Sequence, residues 1–348
     1  MKTKILKYLF GTFLVFSITI IALINLIFHL NKSTVFLKPG AGLGNQLFQY
    51  SAAYSLAKET NSKLIVLIGS SKKKIYGSKS NDYRHYYLHN FQIKSDDIVF
   101  AKDSIKGYFI KHLFKTEFIE KANFILSYFG HKIEFVTERN FFNLLSSPNK
   151  TIYVLKDSFE SEIFFKKYSE EIKEFLKPTN SNPEKLAPYL EKIKKPGSFC
   201  VHIRRGDVSK KENQLFYTPI DYQNKAIELA KKMAQYPYFF IFSDSPEIVK
   251  EELNEKNNIE FISNKELSSI DDFILMSSCQ NNIITRSTFS WWAAYLNPNS
   301  AKIIMAPNPR YSKEWIDSCS NDSIIVEQKR ELYTNHAYPE SWIKVQFN

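Results

Sequence analysis

The sequence predicts an α/β protein whose C-terminal half contains a doubly wound parallel sheet. Five short apolar runs alternate there with helical patterns, and such alternation is typical of parallel β-α-β units. A further β-α-β pattern lies over residues 33–68, and an uncharged apolar run precedes it near the N-terminus. The chain has 348 residues, of which 44% are hydrophobic, so it is long enough for two packed domains.

The apolar run is expected to form one transmembrane helix over residues 8–30. No charge occurs between Tyr8 and Phe28, and about 20 apolar residues span a hydrocarbon core of about 30 Å. Three lysines before the run place residues 1–7 in the cytosol by the positive-inside rule. We therefore expect a single-pass type II membrane protein whose body lies in the Golgi lumen or, in a bacterium, in the envelope; we favour the Golgi.

The net charge of +11 suits an anionic ligand, a membrane surface or nucleic acid. Export of the chain body argues against nucleic acid. In a secretory lumen, Asn149 and Asn321 would be glycosylation acceptors, whereas Asn31 lies too close to the membrane. The three cysteines allow at most one disulfide, and the apolar runs around Cys200 and Cys279 favour core positions.

The first β-α-β unit contains a glycine-rich segment, Gly40-Ala41-Gly42-Leu43-Gly44-Asn45-Gln46. We expect its strand, helix and second strand over 33–39, 47–58 and 64–68. A dinucleotide fingerprint would need a third glycine at position 45 and an acidic residue after the second strand. Both are missing, which disfavours a nucleotide-dependent oxidoreductase. Gly42 and Gly44 are instead expected to let a ligand or another domain approach the backbone, with Asn45 and Gln46 offering amide hydrogen bonds.

The middle of the chain is less regular. Residues 70–149 are expected to form mainly helices and loops, followed by a strand over 151–155 and a helix over 163–176. The segment 178–183 is rich in Pro, Asn and Ser and is predicted to be a linker. It would separate an N-terminal domain over 34–183 from a C-terminal domain over 196–348.

The alternation in the C-terminal domain is cleaner. We expect strands over 199–203, 238–243, 259–262, 282–285 and 302–306. We expect helices over 219–234, 246–255, 270–279 and 289–296. Ligands of such a sheet bind beyond the carboxyl ends of its strands. Three polar clusters follow strands and should meet in one crevice: residues 202–207, 243–245 and 285–290.

Arg204 and Arg205 follow a buried strand. Neighbouring side chains of an extended segment point to opposite faces, so the two arginines should have different roles. One would bind an anion with two parallel hydrogen bonds, while the other could lock against Asp207 or a second loop. His202 shares a face with Arg204, and a structural role and a role as catalytic base both stay open.

The other two clusters offer a helix terminus and a carboxylate. Ser287 and Thr288 are the expected N-cap of the 289–296 helix, whose unpaired N–H groups would bind an anion, with help from Ser290. Asp244 should cap the next helix and could hold a ribose or a base. No Asp-x-Asp occurs in the chain, which argues against a nucleotide-sugar site built on a divalent metal.

Several of these motifs, taken in order over roughly residues 35–310, resemble the α-1,2-fucosyltransferases of glycosyltransferase family 11. The resemblance rests on the glycine-rich segment extended to Tyr50, His202-Ile203-Arg204-Arg205-Gly206-Asp207, Phe242-Ser243-Asp244-Ser245 and Ser287-Thr288-Phe289-Ser290-Trp291-Trp292-Ala293. Asp157-Ser158-Phe159-Glu160-Ser161 is similar to an aromatic–Gln–Ser segment of the family, but Glu160 replaces the usual glutamine. This departure concerns contacts with the acceptor.

The resemblance implies a GT-B-like fold of two Rossmann-like domains that binds GDP-fucose without a metal or other cofactor. The N-terminal domain would lie on the acceptor side, and the C-terminal domain would bind the donor. L-fucose would pass to the 2-hydroxyl of a terminal β-galactose on a glycan, with inversion. Alternatives are another GDP-fucose-dependent enzyme, such as one for protein O-fucosylation or another linkage, and a non-catalytic membrane-anchored glycan-binding homologue.

The resemblance also implies roles for the residues singled out above. Arg204 would be the main diphosphate contact, with support from Arg205. The backbone anion site would consist of Ser287, Thr288 and Phe289, and the donor would be bound or oriented by His202 and Asp244. The base that deprotonates the acceptor stays open between Asp207 and Glu212, and a loosely bonded transition state needs little help from a base.

Overall fold

The computed structural model describes residues 32–68, 86–100, 130–146, 151–179, 182–206, 216–264 and 266–347, together with Asn123 and Ser127. The chain divides into two compact units, and each contains one parallel sheet. Unit 1 takes in Met1–Ala41, Gln49–Tyr86 and Lys94–Phe159. Unit 2 takes in Gly42–Phe48, Tyr87–Ile93 and Glu160–Asn348. The predicted α/β class with parallel sheets is confirmed.

The sheet of unit 1 has five parallel strands in the order β3-β2-β1-β5-β4. They are β1 (Thr34–Leu37), β2 (Lys63–Ile68), β3 (Asp97–Phe100), β4 (Lys132–Val136) and β5 (Thr151–Leu155). Strand β1 is the central strand and is buried along its whole length, as expected for a parallel strand covered on both faces. Helix α1 (Leu43–Glu59) lies between β1 and β2 in the chain, so the predicted strand–helix–strand order is confirmed.

The described part of residues 70–149 contains two strands, β3 and β4, beside the predicted loops and short helices; neither strand is predicted by the sequence. Both are edge strands. Strand β3 has only four residues, and in β4 only Ile133 and Val136 are buried while the other three side chains are half-buried. Neither produces the continuous apolar run by which a buried parallel strand is detected in a sequence.

The sheet of unit 2 has six parallel strands in the order β11-β10-β9-β6-β7-β8. They are β6 (Ser198–Ile203), β7 (Tyr238–Ser243), β8 (Ile259–Phe261), β9 (Asn281–Ile283), β10 (Ile304–Asn308) and β11 (Ile343–Gln346). The helices after α1 are α2 (Ser169–Phe175), α3 (Pro183–Ile193), α4 (Ile220–Met233), α5 (Pro246–Glu252), α6 (Ser269–Ser277), α7 (Thr288–Tyr295), α8 (Lys313–Ser318) and α9 (Ser323–Asn335). The five predicted strands and four predicted helices of this region are all present.

Three features of unit 2 depart from the predictions. The predicted helix over 163–176 is two short 3-10 turns followed by α2, because Phe165 has a non-helical φ of −145°. Helix α3 begins at Pro183, the end of the predicted linker, and the side chain of Asn182 caps it by accepting from Lys185 N. Strand β11 is a sixth strand that the sequence does not predict, and it pairs in parallel with β10.

The pairing register of β6 with β7 determines which residues are neighbours at the carboxyl ends of these strands. Ile203 lies opposite Ser243, so the residues that follow the two strands, Arg204 and Asp244, leave the sheet side by side. Cys200 on β6 and Cys279 are buried free thiols, as their apolar surroundings predicted.

Several predicted features lie outside the described residues: the transmembrane span over 8–30, Asn31, Asn149, Asp207 and Glu212. Within the described ranges, no helix is both long enough and apolar enough to cross a membrane. Asn321, the other predicted glycosylation acceptor, is exposed just ahead of α9.

Candidate functional site

The loop after β6 is held against the end of β7 by Asp244. Its Oδ1 accepts a hydrogen bond from Arg205 N at 2.7 Å. A Cβ added at Gly206 would lie 2.7 Å from Asp244 Oδ2, so glycine is needed for the carboxylate to approach this loop. Asp244 does not cap α5 as predicted: Ser245 occupies the N-cap position, without a side-chain cap bond. The carboxylate is turned toward the arginine loop instead.

Arg205 is buried inside the protein, with only 3% of its surface exposed. Its Nε donates to Glu252 Oε2 at 2.5 Å, and Nη1 donates to the carbonyl oxygens of Arg204 and Thr218. Its guanidinium lies over the Tyr217 ring at 4.6 Å. Of the two alternatives for the second arginine, a lock on another loop matches this geometry. Its Nη2 is buried and has no hydrogen-bond partner within the described ranges.

Arg204 is half-buried at the same strand end. The structure thus gives the two adjacent arginines different environments, as their alternation in an extended segment predicted. Arg205 ties the loop to α5 and to residues 217–218, while Arg204 follows the last residue of β6 toward the surface. Of the two, Arg204 is the more exposed, and it lies at the carboxyl edge of the sheet.

His202 is a neutral side chain in this environment. Burial lowers the pKa of His202 to about 4, the charge of Arg204 adds to this effect, and Asp244 opposes it. The imidazole lies 5.7 Å from the Phe289 ring between centroids. Among the residues that the structure describes, its buried Nδ1 has no hydrogen-bond partner, so this nitrogen could form one hydrogen bond to a ligand without adding charge.

The N-terminus of α7 follows the end of β9. Ser287 occupies the N-cap position in an extended conformation, but its side chain makes no cap hydrogen bond, and the first turn has no acidic residue. Ser290 supports the turn, because its hydroxyl accepts from Thr285 N and donates to Ser287 O. The Ser287 side chain therefore leaves the first-turn N–H groups to other acceptors, as an anion site requires.

The start of α1 packs directly on the start of α7. A Cβ added at Gly44 would lie 2.3 Å from the carbonyl carbon of Thr288 and 2.5 Å from Phe289 N, whereas one at Gly42 would meet nothing within 4 Å. Neither helix has an acidic residue in its first turn. Two positive helix ends therefore lie together, and their partial charges add for an approaching anion.

Asn45 and Gln46 have separate roles next to this contact. Gln46 is buried, and its Oε1 accepts from Tyr87 N at 2.9 Å, so it holds the segment at residues 87–93. Asn45 bridges two groups: its Oδ1 accepts from Thr288 Oγ1 at 2.9 Å, and its Nδ2 donates to Glu160 Oε1 at 2.9 Å.

Glu160 belongs to a buried network that the sequence analysis missed. Arg310 Nη2 donates to Glu160 Oε2 at 2.9 Å, and the Tyr311 hydroxyl donates to the same oxygen. Arg310 follows the end of β10 (Ile304–Asn308). The rule that ligand sites form beyond strand ends could have drawn attention to it, but its contact with Glu160 spans 150 residues of sequence.

The structure therefore brings most of the predicted residues to the carboxyl edge of the unit 2 sheet. Described members are His202, Arg204, Arg205, Asp244, Ser287, Thr288, Phe289, Ser290, Gly44 and Asn45. Among the residues that the structure describes, no group of three or more His, Cys, Asp or Glu side chains is arranged to hold a metal.

Comparison with known proteins identifies the family. The profile of Glycosyl transferase family 11 matches residues 31–323. The O-antigen biosynthesis glycosyltransferase WbnK of Escherichia coli is 29% identical over 279 residues, which cover 76% of this chain and 91% of WbnK. The alpha-1,2-colitosyltransferase of Escherichia coli is 28% identical over 330 residues, which cover 90% of this chain and 99% of that protein.

Two further similarities are more remote. Galactoside alpha-(1,2)-fucosyltransferase 2 of Oryctolagus cuniculus is 25% identical over 146 residues, which cover 36% of this chain and 41% of that protein. Among solved structures, the NodZ alpha-1,6-fucosyltransferase matches with a TM-score of 0.45 and 18% identity, covering 76% of this chain and 92% of NodZ. With a family profile that spans most of its length, this chain belongs to glycosyl transferase family 11 and is a glycosyltransferase.

Proposed function

We propose that the protein transfers L-fucose from GDP-fucose to the 2-hydroxyl of a terminal β-galactose, with inversion and without a metal. The observation that carries the proposal is the close packing of two helix N-termini free of acidic residues, near the end of β6, where His202 contacts Phe289 and Arg204 follows the strand. Family membership, the α-1,2 linkage in the name of one relative and the fucosyl transfer in the name of another support it.

The proposed mechanism rests on electrostatics. When the sugar leaves, negative charge builds on the diphosphate, and donors already in place stabilise it where it develops. Arg204 would grip the diphosphate with two parallel hydrogen bonds, and the backbone N–H groups at Thr288 and Phe289 would bind it at the start of α7. His202 stays neutral, so it would orient the donor through a hydrogen bond without adding charge.

Asp244 and Arg205 would act on the loop rather than on the diphosphate. Asp244 accepts from the backbone of Arg205, and the guanidinium of Arg205 is bound to Glu252. Together they would fix the direction in which Arg204 leaves β6. Asp207 and Glu212 remain proposed alternatives for the base that takes the proton of the acceptor hydroxyl.

Transfer of colitose is the second candidate. The Escherichia coli alpha-1,2-colitosyltransferase aligns with this chain over 99% of its own length. Colitose is fucose without the 3-hydroxyl, so a site for either sugar needs the same diphosphate contacts. The two candidates differ only in whether a polar group of the site pairs with that hydroxyl, since a site that pairs with it rejects a sugar that lacks it.

We propose a GT-B-like architecture in which each of the two parallel sheets belongs to one Rossmann-like domain, with unit 2 as the donor side. We also propose that residues 8–30 anchor the protein in a membrane, with the body exported. Resistance of the full-length chain to alkaline extraction from membranes would support the anchor. Complete release by alkali would refute it.

A transfer assay tests the function. The full-length chain in mild detergent is incubated with GDP-fucose or GDP-colitose and a panel of β-galactosides, with and without EDTA, and the product linkage is determined. Arg204→Ala is the matched inactive control. We expect α-1,2-linked product that survives chelation. Absence of transfer with both donors would refute the function, and loss of transfer on chelation would refute the metal-free mechanism.

A further inference from the structure

We propose that Glu160 and Arg310 are positioning residues for the donor site, acting through Asn45 on the first residue of α7. The inference rests on the proposed function, because it assigns them to the helix end that would bind the diphosphate. Neither residue has a role in the donor site derived above, and Glu160 stands where the resemblance places a glutamine.

Arg310 and Glu160 form a buried ion pair in which each charge needs the other. Arg310 is 2% exposed and Glu160 is 8% exposed. The guanidinium lies over the rings of Phe48, Tyr311 and Tyr338, at 5.3 to 5.7 Å from their centroids. A cation in such surroundings needs a counter-charge, and the Glu160 carboxylate supplies it at 2.9 Å. The cation thus explains why an acid replaces the amide at position 160.

The pair is also fixed to the backbone. Arg310 Nη1 donates to the carbonyl oxygens of Glu160 at 3.2 Å and of Ala337 at 2.9 Å. The guanidinium therefore holds both the side chain and the main chain of Glu160. The second carboxylate oxygen, Oε1, is thereby held at a defined place, where Asn45 meets it.

A carboxylate determines which way the Asn45 amide faces. An ionised carboxyl can only accept hydrogen bonds, so Asn45 must present its Nδ2 to Glu160. Its Oδ1 then faces the other way and accepts from the Thr288 hydroxyl. A glutamine at position 160 could donate or accept, and either orientation of Asn45 would satisfy it. Glu160 therefore removes an ambiguity that the amide would leave.

The last link reaches the donor site. Thr288 is the first residue of α7, and its peptide is the one that Gly44 touches. Because the Thr288 hydroxyl donates to Asn45, it is not available to donate to a ligand. Thr288 would thus serve the diphosphate through its backbone, at a place set by Asn45 and Glu160.

The test compares GDP affinities in a double-mutant cycle on the full-length chain. Glu160→Gln keeps the shape but removes the charge, and Thr288→Val keeps the shape but replaces the hydroxyl with a methyl group. We expect each to raise the Kd for GDP, measured by calorimetry, by about tenfold, which is the order of magnitude of one lost hydrogen bond. The Kd for GDP of the double variant should also be only about tenfold above that of the wild type. Both changes break the same chain of contacts, so their effects should not multiply.

A control separates positioning from stability. Glu255→Gln makes the same change in a carboxylate that pairs with Lys231 elsewhere in unit 2, and it should leave the Kd for GDP unchanged. If Glu160→Gln lowers the thermal midpoint but binds GDP like the wild type, the inference is overturned. It is also overturned if the increases in Kd caused by Glu160→Gln and Thr288→Val multiply in the double variant. The proposed function stands in both cases. If the wild type itself fails to bind GDP, the proposed function is overturned, and the positioning role with it.

Discussion

Gly44→Ala is the sharpest probe of the contact between the starts of α1 and α7. The new methyl carbon would lie 2.3 Å from the Thr288 carbonyl carbon, and ordinary van der Waals contact begins at 3.4 Å. Because the obstacle is backbone, the helix starts must separate by about 1 Å. Overpacking of this kind costs roughly 1–3 kcal/mol, against a gain of up to about 1 kcal/mol from alanine in a helix. We expect a net loss of about 1–2 kcal/mol in the free energy of unfolding.

The effect on ligand binding should be larger than the effect on stability. A displacement of about 1 Å in a catalytic site can reduce activity about a hundredfold, and it would act here on the first-turn N–H groups of α7. Gly42→Ala is the matched control, since that glycine has open space around it. Urea unfolding and calorimetric titration with GDP are measured on both variants. Equal stability and equal GDP affinity in the two would refute the close approach and its role.

Four further predictions concern the two adjacent arginines and two buried titratable groups. Arg204→Lys should weaken GDP binding at least about tenfold with little loss of stability, because lysine cannot form two parallel hydrogen bonds. Arg205→Lys should instead lower the free energy of unfolding by about 2–3 kcal/mol, because the bonds to Glu252 and the carbonyl groups are lost. Titration with GDP and urea unfolding are measured on both variants. Loss of stability in Arg204→Lys together with loss of GDP affinity in Arg205→Lys would contradict these roles. Since the pKa of His202 is lowered from 6.5 to about 4, its neutral form favours the fold, and stability on the order of 3 kcal/mol is lost as pH falls from about 6.5 to 4. His202→Gln should lose less over that range in unfolding experiments, and an identical pH dependence would contradict the assignment. Burial raises the pKa of Asp272 from 3.8 to about 6, so its contribution has the opposite sign and stability is lost as pH rises through that interval. Asp272→Asn should therefore raise the free energy of unfolding by an amount on the order of 2 kcal/mol at pH 7 and leave it unchanged near pH 3.5. An equal increase at both pH values would argue against this assignment.

The elements that could be predicted from the sequence are those whose signals are local. The buried strands β6 and β7 appear as apolar runs, and Pro246 marks the first turn of α5. Because ligand sites of parallel sheets form beyond the carboxyl ends of the strands, these two strands also predict that Arg204 and Asp244 lie close together. The short β3 and the half-exposed β4 were missed, because edge strands of a few residues lack such a signal.

The roles of individual side chains were harder to predict, since they depend on contacts distant in sequence. Asp is a residue type that often caps helices, but the carboxylate of Asp244 lies against Gly206 and accepts from Arg205 N in the arginine loop. Ser287 occupies the expected N-cap position, yet its hydroxyl makes no cap bond. Glu160 was a departure from a family pattern whose cause, a buried arginine 150 residues away, has no trace in the local sequence.

These contacts share one electrostatic logic. A site for a diphosphate must keep its own carboxylates from competing with the ligand for cations and N–H groups. In the described part of unit 2, Glu160 is neutralised by Arg310 and Glu252 by Arg205, while Asp244 accepts from the Arg205 backbone. The first turns of α1 and α7 carry no acid at all. The first turns of the two helices therefore add no negative charge of their own at this place, and we expect a substitution that frees Glu160 from Arg310 to weaken GDP binding although neither residue is proposed to touch the nucleotide.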